Sequence, residues 1–155
     1  MAAGGQGAPL VPLFHQNILK KQSAGTALVN IGGIANITYI DETLHGYDIG
    51  PGNCLVDAWC QKTLNKPYDD KGHWARTGKL NRQLLKRLLN EPYFYVEPPK
   101  STGKELFNLD WLKKNAIEYQ LETMNSQDVQ RTLLELTAVT ISKSVKNTPK
   151  LSNVI

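Results

Sequence analysis

The spacing of apolar positions along this chain changes once, from an alternation with a period of about two to a stripe with a period of about 3.6. Ala27 to Ile31, Asn36 to Ile40 and Leu44 to Ile49 alternate or run apolar, which predicts three strands. Gly32-Gly33-Ile34-Ala35 separates the first two and the polar turn Asp41-Glu42-Thr43 the last two. Connections this short predict an antiparallel meander. From Leu55 onward the period is helical, with stripes at Leu55, Val56, Trp59, Cys60 and Thr63, at Leu80, Leu84, Leu85, Leu88 and Leu89, and at Val129, Leu133, Leu136, Thr140, Ile141 and Val145. Each stripe reads as one buried face and carries packing rather than chemistry. Asn53 is placed to cap the first helix and Ser126 the last, with Asp128 in its first turn. Residues 1–25 read as a loop-like lead-in, because Gly4, Gly5, Gly7, Pro9 and Pro12 break any period and leave only a short helical stretch from Phe14 to Lys21. Leu151 to Ile155 return to an apolar run, a fourth strand barely begun.

Composition sharpens this α/β reading without redirecting it. A chain of 155 residues with 41% hydrophobic and 21% charged positions suits one globular domain with a sizeable core. No apolar run approaches the roughly 20 residues that span a bilayer, and the opening MAAGGQGAPLVPLFHQ lacks a basic flank before an apolar core. Neither a membrane span nor a signal peptide is expected, and the expected location is the cytoplasm. Cys54 and Cys60, six apart on a predicted helix, form neither a disulfide framework nor a metal knuckle, and read as packed thiols. The net charge of +4 comes from scattered Lys and Arg without interleaved aromatic residues, so no nucleic-acid partner is expected. His15, His45 and His73 form no ligand pair, and no metal site is expected.

The stretch with the most chemistry is LHGYDIGPGNCLVDAW, from Leu44 to Trp59. It places Asp48 near the end of a strand, against the turn Gly50-Pro51-Gly52-Asn53, where a helix opens. Such a setting suits an ionised carboxylate beside a polar ligand. Two polar loops add candidates. Tyr68 to Ala75 contains Asp69 and Asp70, and Pro98 to Glu105 contains Lys100, Ser101, Thr102 and Lys104. The first also reads as a solvated turn, and the second as the start of a helix ahead of Leu106 and Phe107, capped by its Ser or Thr. A glycoside hydrolase would need Asp48 to share a sugar with Asp57 or Asp69 at about 5–9.5 Å, a separation that spacing along the chain does not supply.

Six blocks in order, GGQGAPLVPLFHQ (4–16), LVNIGGIANIT (28–38), GYDIGPGNCLVDAW (46–59), YDDKGHWARTG (68–78), PYFYVEPPKSTGKELFNLDWL (92–112) and DVQRTLLELTAVTI (128–141), closely resemble the anhydro-N-acetylmuramic acid kinases. That resemblance implies a place in the hexokinase-like and actin-like ATPase superfamily, whose two lobes are ribonuclease-H-like folds with nucleotide bound between them. Residues 1–25 would then be an inter-lobe lead-in, and residues 26–155 a partial second lobe. The implied reaction, a step in peptidoglycan recycling, opens the 1,6-anhydro bond with water while ATP, accompanied by Mg²⁺, phosphorylates O6 to give N-acetylmuramic acid 6-phosphate. Asp48 matches the family's base for the attacking water. Gly50, Gly52 and Asn53, with Lys100 and Thr102, would bind the sugar. Asn30, Gly32, Gly33 and Asn36 match the hairpin that approaches the ATP phosphates, where glycines let backbone N–H groups come close. Two positions depart from the pattern. Ile49 stands where the family usually has Thr, a lost hydroxyl that matters only if it faces the site, and Arg131 replaces a small residue. The resemblance includes no first lobe with its phosphate loop and no C-terminal adenosine motif. The chain alone is therefore expected to be inactive, its partners being a missing lobe or a second copy that pairs the open sheet edge. The other reading is a non-catalytic sugar-binding or structural piece.

Overall fold

A computed structural model describes residues 25–40, 43–148 and 151–155. The lead-in and its helical stretch from Phe14 to Lys21, together with most of the Asp41-Glu42-Thr43 turn, lie outside the described residues. β1 (Thr26–Ile31), β2 (Ile34–Ile40) and β3 (Leu44–Pro51) form the expected antiparallel meander. β2 starts before Asn36 because Ile34 and Ala35 pair with Pro51 and Gly50, which shortens the connection to Gly32-Gly33. The run at the far end also pairs: β4 (Asn153–Val154) lies parallel to β1, and the sheet order is β3-β2-β1-β4. Val29 N donates to Ile155 O, and Ile155 N to Ala27 O, each at 2.9 Å.

Four α-helices follow the meander among the described residues: α1 (Cys54–Leu64), α2 (Arg82–Leu88), α3 (Leu109–Asn115) and α4 (Ser126–Asn147). The stripes predict the buried faces of α1, α2 and α4, whereas α3 carries no predicted stripe. Leu55, Val56 and Trp59 of α1, Leu84 and Leu88 of α2, Trp111 and Leu112 of α3, and Val129, Leu133 and Leu136 of α4 make one apolar core. Further along α4, Ile141 and Val145 pack on Ala27, Ala35, Ile37 and Ile49 of the sheet. The long helix is therefore shared by both cores, and fixes the sheet relative to the helical layer. Thr63 departs from its stripe and is exposed, because residues 61–68, the last turn of α1 and the loop after it, run past the core into solvent.

Three local expectations are corrected. Asn53 occupies the position before α1 but makes no side-chain cap, its Nδ2 donating instead to Ile31 O at 3.3 Å. Asn125 rather than Ser126 caps α4, accepting from Gln127 N at 3.0 Å, since a short amide side chain in extended backbone reaches the second helical amide. The Lys100 to Glu105 stretch does not begin a helix. Asn108 caps α3 by accepting from Asp110 N and Trp111 N, both at 3.0 Å, and leaves the preceding residues free to run beside β3.

Candidate active site

The register of the meander gathers residues that the sequence separates. Asn30 pairs with Asn36, and Asn36 with Asp48. Directly paired residues of antiparallel strands share a face, so these three polar side chains form one row across β1, β2 and β3. Their neighbours Ala27, Ile37 and Ile49 belong to the opposite face, packed toward α4. Between the pairs Ala35–Gly50 and Asn36–Asp48, β3 carries one extra residue, a bulge at Ile49. Ile49, the residue after Asp48, fills the core at 2% exposure. Ile49 thus faces away from the row, and a hydroxyl at this position would not point at the carboxylate.

Asp48 lies on the outermost strand, and the Lys100 to Thr102 loop closes its open side. Asp48 N donates to Lys100 O at 3.2 Å. Ser101 Oγ at 2.9 Å and Thr102 N at 3.1 Å both donate to Oδ2. Tyr93 Oη donates to the Asp48 carbonyl at 2.8 Å, and burial pushes that phenol well above its ordinary range. The carboxylate is thereby fixed in orientation through one oxygen, while no donor among the described residues reaches Oδ1.

The two glycine turns lock together. Gly52 N and Cys54 N donate to Gly33 O, each at 3.0 Å, and Asn53 N donates to Gly32 O at 2.8 Å. The α1 N-terminus therefore spends these amides on the β1–β2 turn rather than holding them open for a ligand. Because C=O and N–H point in opposite directions across a trans peptide, the Gly33 amide is aimed away from α1. A Cβ on Gly52 would collide with the Gly32 carbonyl, so only glycine allows this contact. Gly50, at φ 151°, lies beneath the Phe94 ring, which stacks on Phe107 at 5.6 Å. Thr137 of α4 donates to Gly52 O at 2.7 Å, with Pro51 O at 3.1 Å, and ties the turn to the helical core.

Of the residues the sequence singles out, Asn30, Asn36, Asp48 and Thr102 come together on or against one sheet face. Gly32, Gly33, Gly52 and Asn53 form the adjoining locked turns, with Asn53 exposed. Gly50 is buried packing. Lys100 separates from the group. Its ammonium donates to Tyr93 O at 3.2 Å and lies 4.8 Å from the Tyr93 ring and 5.9 Å from the Tyr47 ring, and burial lowers its pKa. It lines a cleft of about 950 Å³ with Tyr47, Phe94 and Lys143, on the side of β3 that faces α4. Asp69 accepts from Trp74 N and Ala75 N, both at 2.8 Å, which ties its carboxylate to its own loop. Ser101, Tyr93 and Thr137 hold the site yet carry no signal in the sequence beyond lying in polar or helical stretches. Their partners are 45 to 86 residues away. Among the described residues no three His, Cys, Asp or Glu side chains gather as a metal-ligand set. No helix of these residues is long and apolar enough to cross a membrane.

Fold and site together define a mixed α/β segment whose polar sheet face is bordered by glycine turns and centred on one held carboxylate. The family model described as anhydro-N-acetylmuramic acid kinase matches residues 1–153. Proteins of that name from Coxiella burnetii (strain Dugway 5J108-111), Sulfurimonas denitrificans and Vibrio vulnificus (strain YJ016) are 50% identical over 151 residues, 48% over 151 and 51% over 148. The matches cover 95%, 94% and 94% of this chain, and 40%, 41% and 39% of those relatives. The chain belongs to the anhydro-N-acetylmuramic acid kinase family, and it spans about 40% of the length of the curated relatives it matches.

Proposed function

We propose that these residues supply the water-activating half of an anhydro-N-acetylmuramic acid kinase site, on a partial ribonuclease-H-like second lobe over residues 26–155. The observation that carries the reading is the row Asn30–Asn36–Asp48, with the carboxylate gripped by Ser101 and Thr102 beside two locked glycine turns. In the proposed reaction Asp48 takes a proton from water through Oδ1 as the water oxygen bonds to the anomeric carbon. The C1–O6 bond breaks, its electron pair stays on O6, and O6 takes the γ-phosphoryl group of ATP as ADP leaves. A general base held in one orientation suits this step, because proton transfer needs a fixed short approach. Asn53, exposed at the turn, and the Thr102 loop border the space for the sugar, while Gly50 and Gly52 serve it by letting the turn close. Lys100 serves by holding the loop through Tyr93.

Gly32 and Gly33, with Asn30 and Asn36 beside them, fit an approach to the ATP phosphates. Their carbonyls are committed to α1, and the Gly33 amide is turned outward. Mg²⁺ would be held by phosphates and water, which suits a site whose described residues gather no carboxylate set. Positioning and charge stabilisation are most of what phosphoryl transfer asks of protein groups. A cytoplasmic setting, where ATP is available, fits the reading.

Exchanging residues 1–153 into the matched segment of a full-length relative tests it. Coupled ADP release with 1,6-anhydro-N-acetylmuramic acid is expected from the chimera, and none from the 155 residues by themselves. A folded chimera without turnover contradicts the proposal.

A further inference from the structure

We propose that Lys104 is a phosphate-contacting residue, laid across Gly33 of the Gly32–Gly33 turn, beside Cys54, by the same loop that grips Asp48. This inference rests on the reading of that turn as the phosphate hairpin. Three observations support it. The Lys104 stem lies across Gly33: a Cβ built on that glycine would stand 2.8 Å from Cε and 3.5 Å from Nζ. The missing side chain at Gly33 thus makes room for a lysine as well as for a ligand. Next, the backbone at Lys104 is fixed from several sides. Thr102 N is held by Asp48, Gly103 O accepts from Leu106 N at 3.2 Å and Phe107 N at 3.1 Å, and Lys104 O accepts from Asn108 Nδ2 at 3.2 Å. Phe107, at 1% exposure, anchors that stretch in the core.

By contrast, the ammonium itself is unclaimed. Lys104 is exposed and forms no ion pair among the described residues, whose pairs are Lys62–Glu122, Lys113–Asp110 and Arg131–Glu135. Its neighbour Glu105 turns its carboxylate toward Gly103. The charge is felt at the α1 N-terminus, where it opposes the burial-driven rise of Cys54 and Asp57. A fixed backbone carrying a free cation over a glycine turn matches what a polyphosphate needs: close backbone approach and a point charge on a short tether. The two parts of the reaction are then linked through one loop, with Ser101 and Thr102 on the base and Lys104 on the phosphates.

Titration of the ¹⁵N-labelled 155-residue chain with sodium tripolyphosphate tests this apart from turnover. The Gly33 amide is expected to shift, and Lys104→Met to weaken binding by about tenfold, the loss of one charge-assisted hydrogen bond. Lys104→Arg is expected to restore affinity to within about threefold, and Lys79→Met, at an exposed lysine elsewhere, to leave it unchanged. If Gly33 shifts but Lys104→Met binds as the parent does, or if Lys79→Met weakens binding equally, the role of Lys104 is overturned while the glycine reading stands. A Gly33 amide that tripolyphosphate never moves overturns both.

Discussion

Substituting Gly52 by Ala would pry apart the two turns on which the candidate site is built. The new methyl group would meet Gly32 O inside contact distance, Ala35 N at 3.1 Å and Gly32 C at 3.3 Å. All three are backbone atoms, so no side chain can swing aside, and the turns must separate. Three hydrogen bonds of 2.8 to 3.0 Å join them. Losing two at about 1 kcal/mol each, with about 1–3 kcal/mol of overpacking, amounts to roughly 3–5 kcal/mol. The reduced freedom of the unfolded alanine chain returns up to about 1 kcal/mol. A net loss of roughly 2–5 kcal/mol is expected, a large share of a domain's usual 5–15 kcal/mol or so. Urea unfolding gives the loss, and hydrogen exchange locates it, with the Asn53 and Cys54 amides losing protection before those of Leu133 and Leu136. A loss below about 1 kcal/mol, with the Asn53 and Cys54 amides still protected, would refute the claim that the turns are locked.

Two further outcomes follow from groups around the turns. Thr137→Val keeps the shape of the side chain but removes the donor to Gly52 O and Pro51 O, and should cost about 1–3 kcal/mol in urea unfolding; a neutral substitution would mean that water or another donor replaces the hydroxyl. Burial pushes the Cys54 thiol from 9.0 up to about 11, so the folded chain keeps a proton that the unfolded chain has released. The stabilisation from the neutral thiol is complete below about pH 9 and lost as pH rises toward about 11. Alkylation of native Cys54 by iodoacetamide should accordingly be slow at pH 8 and accelerate toward pH 11, whereas rapid alkylation at pH 8 would show the thiol to be open.

The strands and helices were legible because each repeats a simple period over several residues. The alternation from Ala27 to Ile49 specified the meander, and Val129 to Val145 specified a helix long enough to touch two cores. The facing of Ile49 is left open by the sequence, because the bulge at this point of β3, which can upset simple alternation, depends on pairing with β2 and leaves no local mark. Asn53 and Ser126 read as caps in the sequence but do not cap, for a related reason. A polar residue at a helix start has several acceptors and donors in reach, and tertiary contacts such as Ile31 O decide among them. The Lys100 to Glu105 loop carried good capping residues yet serves Asp48, because Asn108 supplies a better cap just ahead of α3. Lys100 and Thr102 stand two apart in sequence and end on different sides of β3, a separation that only the loop's hydrogen bonds to the strand determine.

Asp48 stands at the centre of the account, and one measurement bears on it most directly. In the full-length chimera carrying residues 1–153, the turnover of Asp48→Asn would be compared with that of the parent, alongside the affinity for the anhydro sugar. Loss of the water-activating base predicts a fall in kcat of about 10²–10⁴-fold, with sugar affinity changed by less than about tenfold. An Asp48→Asn enzyme that opens and phosphorylates the sugar at the parental rate would contradict the assignment.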